Sequence, residues 1–198
     1  MTESKRIVKA VSVTNMGIPD GFVPSLSYQG QVLEGGYTRI EVSSDVEHLS
    51  KIHRALVASF TFPCKIRYLK LTDRQEGQYQ NPKSYVAVNV SREMMLQVLD
   101  QLVELIYNDG RHQLWILGLN GEQIVLDELG VIYVSPDDFR FRDILDALDI
   151  PETQMNDVSH QPMSKRDYVL VNFSADADIQ EATLLQTLGF IQDIYLHH

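Results

Sequence analysis

The stretch HQLWILGLNGEQIVLDELGVIYVS, residues 112–135, decides what kind of sheet the chain builds. HQLWILGL (112–119) is apolar at successive positions around Trp115, as a strand covered on both faces would be. Asn120-Gly121 then supplies the left-handed backbone that a two-residue hairpin turn requires. QIVLDE (123–128) returns, and Gly130 turns the chain into VIYVS (131–135). What flanks these strands determines whether the chain holds one sheet or two.

Four segments elsewhere share a shape: YTRIEVSSDVEHL (37–49), YVAVNVSREMMLQVL (85–99), GVIYVSPDDFRFRDIL (130–145) and YVLVNFSADADIQEATLL (168–185). Each is a strand ending in Val-Ser or Phe-Ser, followed by an acidic residue and an apolar pattern of helical period. They read as a weak internal repeat of a strand–helix unit. Ser43 or Ser44, Ser91, Ser135 and Ser174 are expected helix N-caps, whose hydroxyls satisfy free backbone N–H groups. Ser44 with Glu47, and Asp178 with Glu181, have capping-box spacing. Ser135-Pro136-Asp137-Asp138 reads as cap, proline at the first helical position, and two acids facing the helix dipole. The stripe Met95, Val98, Leu99, Leu102, Leu105 and Ile106 predicts one helix, closed by Asn108-Asp109-Gly110. Phe141, Ile144, Leu145 and Leu148 form another, with Asp143, Asp146 and Asp149 on its wet face.

With CKIRYLKL (64–71) as a strand after the first helix, residues 37–119 read β-α-β-β-α-β. That is the split βαβ order of a ferredoxin-like fold. Residues 130–196 read as a less complete second version, with the polar stretch 149–167 where a strand would be expected and a closing strand at 190–196. The expected class is therefore α+β, built as tandem ferredoxin-like modules. The predicted division is a strand-and-loop extension at 1–36, a first module at 37–119 and an acidic second module at 120–198. The alternative is one continuous mixed sheet with helices on one face.

The 198 residues, 44% of them hydrophobic, suffice for one sizeable core or two small ones. The formal charge of −10 is uneven: residues 1–119 carry 13 Lys/Arg against 12 Asp/Glu, and residues 120–198 carry 4 against 15. An acidic half repels phosphate backbones and attracts basic partners. Cys64 is the only cysteine, which excludes an intramolecular disulfide and a CxxC site. The first residues show no apolar signal-peptide core, and no run of apolar residues is long enough to span a membrane. A cytoplasmic setting is expected.

Candidate sites are few. The sheet face away from the helices is expected to carry Tyr37, Glu41, Tyr85, Asn89, Tyr168 and Asn172, beside Lys65 and Arg67. The apolar sets Thr38/Ile40/Val42, Val86/Val88/Val90 and Val169/Val171/Phe173 should meet the helices. Exposed tyrosines on such a sheet would suit RNA, but the RNA-recognition consensus is absent and the chain is acidic. A tyrosine-bearing interface, with the other module or in a homodimer, fits better. No metal site is expected: His48 and His53 are five apart, DADIQE (176–181) lacks a calcium-loop frame, and His197 and His198 read as a tail. No phosphate loop, nucleophile elbow or cofactor motif occurs, and Asp127 and Glu128 read as adjacent in a turn; on a strand they would point to opposite faces, which makes no acid–base pair. No catalytic residue and no cofactor is assigned. The expected function is a non-catalytic binding or regulatory protein (adaptor, inhibitor or immunity-like). It would engage a basic protein through Asp137, Asp138, Asp143 and Asp146. The alternatives are a small-molecule sensor with its ligand at the module interface, and an enzyme with a dispersed site.

Overall fold

The structure is a computed structural model that describes residues 9–72, 82–153, 167–171 and 175–193. In chain order its elements are β1 (Ala10–Ser12), β2 (Ser27–Val32), β3 (Thr38–Ser43), α1 (Leu49–Ala58), β4 (Cys64–Lys70), β5 (Lys83–Val90), α2 (Arg92–Gln101) and α3 (Val103–Asn108). There follow β6 (His112–Leu117), β7 (Gln123–Leu126), β8 (Ile132–Ser135), α4 (Phe139–Ala147), β9 (Tyr168–Leu170), α5 (Ala177–Thr187) and β10 (Ile191–Asp193).

The stretch 112–135 folds as β6–β7–β8, three adjacent antiparallel strands. They lie inside one eight-stranded sheet of order β10-β5-β4-β6-β7-β8-β3-β2, in which every pairing is antiparallel. β1 and β9 form a separate two-stranded ribbon. The sheet runs unbroken across residue 120, so the two halves expected as separate modules share it. Part of the expected order is present: β5 and β6, joined by α2 and α3, flank β4. The other crossover departs from it, because β8, β7 and β6 stand between β3 and β4. Short turns keep consecutive strands together, so the meander enters as a block and pushes β3 outward. The strand pairs are not mixed in direction, which also corrects that part of the alternative.

Strand alternation sorts the two faces. One cross-strand row runs Ala87, Ile66, Ile116, Ile124, Val134, Ile40 and ends at Gly30. Its members from Ala87 to Ile40 are all buried, in one cluster with side chains from all five helices, among them Leu56, Leu99, Leu105, Phe141 and Leu184. The helices therefore cover this face. Gly30 leaves room for an ion pair: an added Cβ would lie 2.6 Å from an Arg142 guanidinium nitrogen and 2.8 Å from Asp137 Oδ2.

Several local expectations change. Ser91 does cap α2, accepting from Met94 N–H at 3.2 Å. Ahead of α1, the Asp45 carboxylate instead takes the Glu47 and His48 N–H groups. α4 is capped by Asp138 through Arg140 N–H, not by Ser135. A short carboxylate serves free N–H groups as well as a serine does. Asp178 lies inside α5, and the expected long helix breaks at Leu102. Ser174, the strand residues 194–196 and most of the 149–167 stretch lie outside the described residues.

Val90 meets the helices as expected, but from Val88 back to Tyr85 the faces of β5 are the reverse of the expectation. Cys64 pairs with Val90 but Ile66 pairs with Ala87, so β5 holds one extra residue, and Asn89 sits there at φ 56°. Past this bulge the alternation resets. Ala87 and Tyr85 face the helices, while Val88 is 63% exposed. β9 also departs, because it leaves the main sheet: Leu170 packs on Ala10, Leu129 and Val131, and Val169 is exposed. No helix among the described residues is long and apolar enough to cross a membrane.

Candidate functional site

On the face opposite the helices, a second cross-strand row runs Val86, Arg67, Trp115, Val125, Tyr133, Glu41 and Gln29. Trp115, Val125 and Tyr133 form the floor of a cleft of about 390 Å³. Leu33 and Arg39 border it from the β2–β3 side, and Leu129 and Tyr168 from the side of the β1/β9 ribbon. Gln123 and Ser135, paired across β7 and β8, lie at one end; Gln113, Asp127 and Glu128 lie at the other.

The polar groups around the floor are mutually ordered. Trp115 Nε1 donates to Gln113 Oε1 at 2.9 Å, and Gln113 Nε2 donates to Glu128 Oε2 at 2.6 Å. The Arg39 guanidinium lies 4.4 Å from the Tyr133 ring centroid and donates to Gln31. Gln31 and Gln29 both donate to Glu41, which is itself buried. Such networks fix side-chain orientation before a ligand arrives.

Asp127 is a nearly buried carboxyl bordering the cleft. Its Oδ1 accepts from Leu129 N–H at 2.9 Å and from Val131 N–H at 2.8 Å, closing the turn between β7 and β8. Burial, then the Glu128 carboxylate, pushes its carboxyl up to about 7, against the pull of those N–H groups and of Lys9. Burial and the carboxylates of Asp127 and Glu41 raise the Tyr133 phenol as well. Asp127 and Glu128 lie in the turn after β7, which ends at Leu126, and there both residues border the cleft.

The ribbon is pinned by a buried lysine. Lys9 Nζ donates to the Ile106 and His112 carbonyls at 3.2 and 3.4 Å. Gly110 admits this strand, since an added Cβ would come 1.9 Å from the Lys9 carbonyl oxygen. Nearby His53 Nδ1 lies 3.0 Å from the Tyr107 hydroxyl. Burial, then Lys9, pushes the His53 imidazole down to about 3. Cys64 is buried and its thiol is pushed up to about 12, the state of a core residue.

Of the residues expected on the open sheet face, Glu41 stands in the Tyr133 row and Tyr168 borders the cleft. Tyr37 is exposed just before β3, Tyr85 faces the helices, and Asn89 is the bulge residue. Asn172 lies outside the described residues. Of the four acids expected to meet a partner, Asp137 holds Arg142 by two bonds of 2.7 Å. Asp138 caps α4, Asp146 accepts from the Tyr28 hydroxyl at 3.0 Å, and Asp143 is exposed. Among the described residues, no three His, Cys, Asp or Glu side chains are grouped to hold a metal ion. The sequence reading missed Trp115 and Tyr133 as site residues, although strand alternation places both opposite the helix-facing row. Asp127 and Lys9 carried no periodic signal. Comparison with family models, curated proteins and solved structures finds no match.

Proposed function

We propose that the chain is a non-catalytic binding protein, of a sensing or regulatory kind, whose small ligand seats in the open-face cleft. The observation that carries this reading is the cleft itself: an aromatic floor, a few oriented polar groups and a nearly buried carboxyl at one end. Its volume of about 390 Å³ falls within the roughly 300–1,000 Å³ usual for small-molecule sites. It draws Arg39, Gln113 and Trp115 from before residue 120 and the rest of its floor from after it, which suits a site where two halves of the chain meet.

An enzyme would use Asp127 as an acid or base. Ser135, the one aliphatic hydroxyl bordering the cleft among the described residues, stands beside Gln123, four residues up β7 from Asp127, roughly 13 Å along a strand. No nucleophile–base pair arises from that spacing, so binding is the better reading.

A thermal-shift screen against metabolites tests it. A ligand at about 100 times its dissociation constant should stabilise the fold by about 3 kcal/mol. Val125→Phe, which fills the floor, should abolish the shift while leaving the unliganded protein folded. A shift that survives Val125→Phe would place the ligand elsewhere. Docking of a basic protein at Asp137, Asp138, Asp143 and Asp146 is the second reading, favoured by the 15 acids against 4 bases of residues 120–198. Three of those acids already serve contacts within the chain, which leaves Asp143 as its freest group.

A further inference from the structure

Resting on that reading, the geometry points to the ligand's chemical class: a small organic ammonium ion with an apolar or aromatic body. Asp127 is only 6% exposed, yet it borders the cleft. Its Oδ1 is occupied by two backbone N–H groups, and its Oδ2 accepts no hydrogen bond among the described residues. Glu128 beside it commits Oε2 to Gln113. Gln113 Nε2 gives one N–H to Glu128 and Trp115 Nε1 gives its N–H to Gln113, so neither bond reaches Asp127. Neither Asp127 nor Glu128 has an ion-pair partner among the described residues, and an ammonium group would bring the missing positive charge.

The rest of the cleft suits the body of such a ligand. The Trp115 and Tyr133 rings offer stacking surface and attract cations through their faces, and Val125 lies between them. A guanidinium already lies over each ring, Arg39 4.4 Å from the Tyr133 centroid and Arg67 5.6 Å from that of Trp115, which leaves the ligand's cation to the Asp127 end. Arg39 itself is balanced by Glu41, 3.8 Å away, and does not neutralise the Asp127 end. The groups facing Asp127 are Glu128 in its own turn, Tyr133 on β8, and Lys9 beside β1. The Lys9 ammonium is engaged by the Ile106 and His112 carbonyls.

Because burial disfavours the charged carboxyl, an arriving ammonium ion must displace the Asp127 proton to gain its full contact. Binding then strengthens as pH rises through the Asp127 titration, while an aliphatic amine stays charged throughout.

Trp115 is the only tryptophan in the chain, so its fluorescence reads the cleft directly. Three matched probes separate the possibilities: 2-phenylethylamine, 2-phenylethanol and 3-phenylpropionate. The amine should bind at least about tenfold tighter than the alcohol at about pH 8 and lose about tenfold at about pH 5.5. Asp127→Asn keeps the Oδ1 acceptor for both N–H groups and should reduce the amine to the level of the alcohol. If that variant does not fold, the pH comparison on the unmodified chain still decides. Equal binding of amine and alcohol, or preference for the carboxylate, would overturn the ammonium class while leaving the cleft as the site. No saturable change with any probe would remove the cleft reading and the ammonium class together.

Discussion

Asp127 shows how a buried carboxyl reads in solution. Its folded pKa, near 7, lies above the ordinary value of about 3.9, so the folded state holds a proton that the unfolded chain has released. Stability from this group is full below about pH 4 and falls as pH rises towards 7. His53 runs the other way: with a folded pKa near 3, its share is full above about pH 6.5 and is lost on acidification. The two oppose each other, and a variant separates them. Between about pH 4 and 7 the unmodified chain should lose about 2–4 kcal/mol relative to Asp127→Asn, by denaturant titration at each pH. A pH-independent difference would mean that Asp127 ionises normally. Such a residue is hard to see in a sequence. LDELG reads as a turn, and adjacent acids look solvated until the turn buries one of them. Trp115 and Tyr133 alternate along their strands with the buried Ile116 and Val134, but a run apolar on both faces hides which side is open.

At the scale of elements, the sequence was most legible where one face is simply apolar. β3, β4, β6, the α4 stripe and the Met95, Val98 and Leu99 part of the α2 stripe lie where periodicity put them. It failed at β5 because one extra residue reverses every side chain beyond it. Asn89 marks that residue: it tolerates a left-handed backbone better than most side chains, which hints at a bulge only in hindsight. Asn89→Gly should be nearly neutral, whereas Asn89→Val should cost about 1–3 kcal/mol in thermal or denaturant unfolding, because a β-branched residue resists φ above zero. Equal stability of the two variants would show that the bulge relaxes. The caps of α1 and α4 were misplaced for a related reason: Ser and Asp compete for the same N–H groups, and spacing alone does not rank them.

Across the whole molecule, the distinction between two modules and one sheet rests on where β3 pairs. Local order along 37–119 is compatible with a split βαβ unit, and only the long-range contact of β3 with β8 rules on it. No local pattern encodes that contact. One sheet and one principal core should unfold in one step: Trp115 fluorescence and far-UV circular dichroism should give coincident denaturant curves. Two separated transitions would mean that the halves are stable independently. The single sheet also sets the cleft, since its floor needs β6, β7 and β8 side by side and its rim needs β3 and β9. The measurement that bears most directly on the binding reading is a nitrogen-15 NMR titration with a ligand recovered from the thermal-shift screen. Shifts should centre on the single Trp115 indole N–H, with Gln113, Val125, Asp127 and Tyr133 around it. An unmoved indole signal, with shifts gathered instead along α4 at Asp138, Asp143 and Asp146, would contradict the cleft as the site and favour the acidic surface.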